Sequence, residues 1–441
     1  MQEASLRRPT SNMAIFAALF MLTLALSVAS EFLLDRGMFR QSLFDLANFT
    51  GPTTKSLLHH GGLTFCSYGS EIAPNIICFH VGRMPVGPFV IGAGILLFGD
   101  SFVRVSLFKI VLLLLPLEFA IFLVCRRLPP SLPRRIACAL LLLVPFGMTI
   151  FIANVVNLQV EEDYAYSLIA CALAIVLFGP FAWRTPTRAN SSAHPLLLLL
   201  FVLSVDMLYL SKSSLSLAVA VLTVAFVLQQ RLLIARLALL VLVAAAPLGW
   251  AVYTHHASGR YSLGTSLDGV NLHKGNGTIF MEHYPPAPLT SLDDYDGILN
   301  RGLHFADEWS FNDYHLHAGI AYIRSHPRET LIAEWRKFSL LYLSITKYGS
   351  SDSHGLRLLI ERLGLLLFRI VFWTTIAISL FALVSPAHRA LRSAAITYLA
   401  LVAACVLPYL IGFGYTRHAS ILIYPACLMG CRILCADATP K

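Results

Sequence analysis

Apolar runs of about 17–24 residues recur along this chain of 441, each long enough at a helical rise of about 1.5 Å per residue to cross a hydrocarbon core about 30 Å thick. The runs are continuous rather than alternating, so backbone hydrogen bonds in lipid must be closed within helices and not around a barrel. Hydrophobic residues make up 57% of the chain and charged residues 13%, more apolar surface than a soluble core needs. The expected class is an all-α polytopic membrane protein.

Ten spans are expected, at 13–34, 102–125, 134–154, 162–182, 194–210, 213–229, 234–253, 363–384, 394–413 and 419–435. The first follows Arg7 and Arg8 and has no small-x-small cleavage site before Glu31, so it reads as a retained span. Two shorter runs, 86–99 and 335–347, would raise the count to twelve if both crossed. Crossing by Val86–Gly99 would put Arg126, Arg127, Arg134 and Arg135 outside, against the positive-inside tendency, so the run is expected on the outer interface.

With both short runs kept out of the membrane, every inner segment is basic: Arg7/Arg8, Arg126–Arg135, Arg184/Arg188, Arg231/Arg236, Arg389/Arg392 and Arg432/Lys441. Both termini are then cytoplasmic. The division expected is an N-terminal membrane module, 1–253, containing a first outer loop at 35–101; a large outer loop with interfacial helices, 254–362; and C-terminal membrane helices, 363–441. Outer loops of that length exceed ordinary connections and are where function is expected. Between Ala318 and Phe338 apolar residues recur at helical spacing beside Arg324, His326, Arg328 and Lys337, which suits a helix lying on the membrane face.

The formal charge of +9 sits in loops, without the basic helix and interleaved aromatics of a nucleic-acid surface, so no nucleic-acid role is assigned. Most of the nine cysteines lie in spans as small apolar fillers. Cys66 and Cys78 share the first outer loop, where an oxidising compartment would allow a disulfide. Cys427, Cys431 and Cys435 repeat every four residues on the last span, a spacing better suited to helix packing than to a metal. Glu71 with His59, His60 and His80, and Asp313 with His315 and His317, do not have the spacing of a closed zinc site, so no metal ligands are assigned.

Several segments, in order, resemble the GT-C superfamily of lipid-linked-sugar glycosyltransferases, near the bacterial protein O-mannosyltransferase and aminoarabinose transferase group. In the first outer loop these are Asp45, then Leu57-Leu58-His59-His60-Gly61-Gly62, then Arg83-Met84-Pro85-Val86-Gly87-Pro88 and Leu97-Phe98-Gly99. Glu161 and Glu162 open the fourth span, and Leu210-Ser211-Lys212-Ser213-Ser214 links the fifth to the sixth. Later come Gly269 to Asn276, His326-Pro327, Glu334-Trp335-Arg336-Lys337-Phe338, Arg417-His418 and Tyr424-Pro425. The chain departs from the family's pattern at Phe49 and Thr53, and Gly51-Pro52 is expected to interrupt a helix there.

The resemblance implies transfer of a sugar from a polyprenyl-phosphate carrier to a hydroxyl acceptor on the extracytoplasmic side, with inversion, in a bacterial inner membrane. The acceptor hydroxyl needs a carboxylate to take its proton, for which Asp45 is the candidate and Asp35 the alternative. The leaving phosphate gains negative charge, which Arg417, with Lys212 and Arg83 second, could offset. Glu161, Glu162, Asn271, Asn276 and His418 complete the expected cleft. The partners implied are the lipid-linked donor, the bilayer and a lipid, glycan or protein acceptor. No cofactor follows from the residues, and a divalent metal stays open because members of the superfamily differ in that need. Two rivals remain: a transporter or flippase of lipid-linked sugars, favoured by Asp206 inside the fifth span, and an O-antigen ligase or polymerase.

Overall fold

The computed structural model describes residues 8–34, 50–67, 77–148, 162–179, 195–283, 299–300, 302–345, 356–414 and 416–436. The N-terminal part runs α1 (Arg8–Leu34), α2 (Thr50–His60), a hairpin of β1 (Phe65–Ser67) and β2 (Ile77–Phe79), then α3 (Val86–Phe98), α4 (Phe102–Cys125) and α5 (Leu132–Met148). Next come α6 (Glu162–Phe178), α7 (Pro195–Ser211), α8 (Ser216–Gln229) and α9 (Leu233–Ser258). The loop helices are α10 (Asp268–Gly275), α11 (Thr278–His283), α12 (Glu308–Ser325) and α13 (Pro327–Phe338). The chain then follows α14 (Leu356–Val384), α15 (Arg389–Ile411), a short α16 (Thr416–Ser420) and α17 (Ile423–Leu434).

The described part of each expected span is helical over most of its length. Among the described residues four helical stretches, Phe102–Cys125, Leu233–Ser258, Arg362–Val384 and Pro386–Ile411, are long and apolar enough to cross a membrane alone. The chain is an integral membrane protein of helical architecture. Along α9 the side chains of Leu237, Val241, Leu248 and Val252 are exposed, an apolar surface that only lipid can cover.

The centre of the bundle is α6, whose described side chains are buried along nearly its whole length. It packs on α4, α7, α8 and α17. Its composition explains the position: Ser167, Ala170, Cys171 and Ala174 fall at small-xxx-small spacing and let neighbouring backbones approach closely, where lipid offers no hydrophobic drive to association. Tyr166 hydrogen-bonds Ser420 from this helix and so ties α16 to the bundle centre.

At the start of α6, Asp163 accepts a 2.6 Å hydrogen bond from Lys109 of α4, and the two side chains are 0% and 1% exposed. The ammonium also sits 5.3 Å from the Tyr164 ring centre. Burying either charge alone is expensive, so the pair fixes the register of α4 on α6.

Two expectations about local structure are revised. Gly51 and Pro52 do not interrupt a helix: they occupy the first turn of α2, where proline's missing N–H has no partner to lose. The single interfacial helix expected over 318–338 is two, separated at His326, where Pro327 cannot continue α12 and instead opens α13. Asp307 caps α12 through the amides of Trp309 and Ser310 at 3.0 and 2.7 Å. On α13, Thr330, Ala333 and Lys337 face inward while Leu331 and Trp335 remain exposed, as an interfacial helix requires.

Lys109→Met should destabilise the protein by roughly 3–5 kcal/mol, because Asp163 would be left buried and uncompensated. The double variant Lys109→Met/Asp163→Leu should recover most of that loss. Unfolding of the purified protein in one detergent, followed across the four combinations, measures the coupling; strictly additive losses would refute it.

Candidate functional site

The polar segments assemble into one layer at the end of the bundle. Phe65 stacks on Phe79 across the hairpin, with ring centres 5.1 Å apart, and Phe311 of α12 meets Phe79 edge-on. Leu267, Val270 and Ile77 complete this small core. Cys66 and Cys78 are paired in register across the hairpin and joined as a disulfide.

A buried carboxylate fastens the layer together. Glu308, at the start of α12, accepts from the His80 amide at 3.1 Å, the Val81 amide at 3.3 Å and the Ser266 hydroxyl at 2.6 Å. One side chain thus holds the segment leading to Arg83 against the segment leading to Asp268. Charge-assisted bonds of this kind are worth more than neutral ones, and the three donors offset the cost of burying the charge.

Helix α10 lies close on α12 because Gly269 allows it: a Cβ there would fall 2.2 Å from the Asn312 carbonyl oxygen. Between the two helices, His315 Nε2 lies 2.9 Å from Asn300 Oδ1, and its Nδ1 lies 2.9 Å from His273 Nδ1. Burial lowers the His315 pKa to about 3, with His273 and then Lys274 adding to the effect, so it is neutral. A neutral ring has one N–H, which goes to Asn300, and its Nδ1 therefore accepts from His273.

Asn276 donates to the carbonyls of Leu272 and Ile411 at 2.9 and 2.5 Å, and Lys337 donates to those of Gly275 and Gly412 at 3.1 and 2.9 Å. Both side chains bind the end of α10 to the end of α15. Burial lowers the Lys337 pKa to about 8.

Against this frame three segments bring their charges together. Arg83 enters from the hairpin side, Lys212 from the link between α7 and α8, and Asp268 from the start of α10. Asp268 accepts from the Thr265 amide at 2.9 Å and its hydroxyl at 2.8 Å. The charges of Lys212 and Arg83 favour its ionised form through space, yet enclosure by protein outweighs them and raises its pKa. Its side chain is nevertheless exposed to solvent. Asn271, three residues along the same side of α10, is exposed as well.

The Lys212 ammonium lies 5.8 Å from the Tyr409 ring centre, and that ring stacks on His418 at 4.2 Å. The Tyr409 hydroxyl meets Ser214 Oγ at 3.2 Å, and Tyr209 donates to the Leu263 carbonyl at 2.5 Å, which holds the 263–268 segment over α7. Lys212 thus lies over a buried stack of Tyr409 and His418, and a cation so placed suits an anionic group.

Of the expected site the structure brings Lys212 and His418 together at Tyr409, and Arg83 and Asn271 follow the two segments that Glu308 joins. Asn276 is buried and joined to two backbone carbonyls. Asp35, Asp45 and Glu161 lie outside the described residues. Glu162 opens α6 and Arg417 lies in α16, but their side chains are not among those described. Asp313 pairs with Arg260 at 2.7 Å, and His315 is taken up by His273 and Asn300. Asp268, Tyr409 and Asp163 are additions of the structure. The signal for Asp268 was present as an acid opening the Gly-Val-Asn-Leu stretch; Asp163 was hidden by its neighbours Glu161 and Glu162.

No family model and no curated protein sequence matches the chain. Two solved structures of ArnT from Cupriavidus metallidurans are similar in shape, each with a TM-score of 0.36 and 13% identity. The structure bound to undecaprenyl phosphate covers 91% of this chain, the apo structure covers 97%, and the match spans 78% of each of theirs.

Glu308→Ala should expose the amides of His80 and Val81, with a loss of roughly 1.5–3 kcal/mol of local stability. Hydrogen exchange at those two amides reads it, and unchanged protection would show the tie to be dispensable. Lys337 gives a pH effect of definite sign. Its folded pKa of about 8 lies below the usual 10.5, so the unfolded chain binds more protons between those values and this residue makes stability rise with pH there. The difference in unfolding temperature between the parent and Lys337→Met should therefore change in favour of the parent from pH 8 to pH 10.

Proposed function

We propose that this protein is an integral-membrane glycosyltransferase of GT-C type, moving a sugar from a polyprenyl-phosphate carrier to a hydroxyl acceptor on the extracytoplasmic side. The observation that carries this reading is that Lys212 and His418 meet at the Tyr409 ring, while Glu308 joins the segments leading to Arg83 and Asp268, so residues far apart in the chain lie in one polar layer. Arg83, Lys212 and His418 stand in the segments that resemble the family.

In the reaction, the acceptor oxygen attacks the anomeric carbon as the bond from that carbon to the phosphate oxygen breaks, inverting the configuration. The electron pair leaves with the phosphate, which changes from diester to monoester; Arg83 and Lys212, with Arg417, offset the charge that develops. The hydroxyl proton passes to a carboxylate, assigned to Asp45. A donor with an isoprenoid tail enters from the bilayer, and the polar head needs a site at the membrane boundary, where the loop layer meets the bundle.

One feature favours transport of the same lipid. Asp206, within α7, has a buried carboxylate oxygen without a hydrogen-bond partner among the described residues, and unpaired acids inside spans commonly mark ion or substrate paths. A single comparison separates the readings: mass profiles of the host's envelope glycolipids and glycoproteins with and without the gene, then with variants supplied back. Loss of one sugar unit is expected without the gene, unrestored by Asp45→Asn and restored at most about 1% by the Arg83→Gln/Lys212→Gln double variant. Full restoration by the double variant would exclude the assigned phosphate site. An unchanged glycan profile, with the lipid-linked sugar redistributed across the membrane, would establish transport instead.

A further inference from the structure

Helix α13 wears its amphipathic pattern with the apolar side outward. Thr330, Ala333 and Lys337 recur at helical spacing on the side turned to the protein and are buried. Arg328, Leu331, Ile332 and Trp335 form the opposite stripe and are exposed, Leu331 and Trp335 by 67% and 60%. The helix cannot roll to hide that stripe. Lys337 on the inner side donates to the carbonyls of Gly275 and Gly412 at 3.1 and 2.9 Å, and Arg336 on the flank donates to that of Met281 in α11 at 2.9 Å. Apolar residues held outward in this way need a cover.

The surroundings of the stripe identify the cover. Gly412 directly follows Ile411, the last residue of α15, a helix long and apolar enough to cross a membrane, so the Lys337 bond sets α13 at the level where that helix ends. A line of rings then joins the stripe to the side of α14. Trp335 stacks on Phe338 with centres 5.8 Å apart, and Phe338 meets Trp373 edge-on at 6.1 Å. Trp373 shares one face of α14 with Leu366 and Ile370, and all three are exposed along a membrane-crossing helix. The apolar patch of α13 therefore continues a surface that acyl chains cover. Its charged rim is basic. Arg324, in the last turn of α12, and Arg328 are exposed and form no ion pair among the described residues. Of the two acids on α13, Glu329 accepts from Tyr322, and Glu334 lies toward Thr330 and Lys337 on the inner flank.

We propose that α13 docks into the membrane leaflet beside the polar layer, with Leu331, Ile332 and Trp335 among the acyl chains and Arg324 and Arg328 on the phosphates of anionic phospholipids. An indole suits the boundary between chains and head groups, and the long stems of the two arginines let their charge reach the head-group level. This lipid surface is distinct from Arg83 and Lys212 and holds whether the protein transfers a sugar or moves a lipid. Because Lys337 joins the same helix to the ends of α10 and α15, the leaflet supports the polar layer through α13.

The indole of Trp335 reports its own surroundings. The full-length protein and its Trp335→Phe variant are reconstituted in phosphatidylcholine bilayers containing brominated lipid, and the difference between their tryptophan emissions isolates Trp335. That difference should fall by about half or more when the bromines lie toward the head-group end of the chains, the depth of about 5–10 Å that an interfacial helix reaches. At equal mole fraction, brominated phosphatidylglycerol should associate with Trp335 about threefold more strongly than brominated phosphatidylcholine. Arg324→Gln/Arg328→Gln should abolish this preference and leave the quenching by phosphatidylcholine intact, and high salt should act in the same direction.

Emission from Trp335 that neither brominated lipid reduces overturns the docking and gives the patch a protein cover instead. Equal association of the two lipids in the parent, or a preference that survives Arg324→Gln/Arg328→Gln, overturns the anionic head-group site. Should Trp335→Phe not fold, a fluorophore attached to Leu331→Cys, at an exposed position of the same stripe, carries the same expectations.

Discussion

The carboxylate of Glu308 is the contact on which the polar half of this molecule depends. Segments rich in glycine, histidine and aspartate have little apolar surface to hold them over a membrane bundle, and their small core of phenylalanines and aliphatic residues is slight. A buried charge that collects donors from His80, Val81 and Ser266 supplies direction where hydrophobic burial cannot. The apolar cluster fixes how close the two loops come; Glu308 fixes their register. Arg83 lies two residues beyond Val81 and Asp268 two beyond Ser266, so the relative position of cation and acid follows from this one group.

The membrane half obeys a different rule. In lipid, apolar surface is not a source of association, and helices meet through close packing and buried polar pairs. The small residues of α6 and the Lys109–Asp163 pair meet both needs at one helix. This is also where the two halves join, because Tyr166 of α6 reaches Ser420 in the same short helix that carries His418. The stack of His418 on Tyr409 beneath Lys212 is thereby anchored in the bundle and not in a loop.

The helices were legible because hydrophobic run length survives any detail of packing, and the described part of each expected span is helical over most of its length. Arg83, Lys212 and His418 could be singled out as candidates because charged and aromatic residues at helix ends are rare enough to be noticed one at a time, and the structure places Lys212 and His418 at one ring. Asp268 was not, since an acid at a helix start has an ordinary reading as a favourable partner of the helix N-terminus. Only the distant loops that carry Arg83 and Lys212 give it another meaning. Asp163 was obscured for a different reason: in Glu161-Glu162-Asp163, composition cannot say which acid turns inward, and helical phase relative to Lys109 decides it. Gly51-Pro52 was misjudged because a proline's effect depends on whether it lies in a first turn or an interior one, which a short polar segment does not reveal.

The placement of charge bears on the choice between transfer and transport. A transporter has to accommodate its cargo from both faces, so groups that bind the cargo belong near mid-bilayer, on helices able to rearrange. Here the cations that suit a phosphate arise from loops, and those loops are tied by Glu308, by Lys337 to two carbonyls and by the Cys66–Cys78 bridge. Asp206 is the exception, but it lies on α7, the helix whose end carries Lys212, and no second charge accompanies it in a described ion pair. A polar layer tied at these points over a bundle with lipid-facing helices suits the proposed reaction, in which one end of the substrate is held while its tail remains in the membrane.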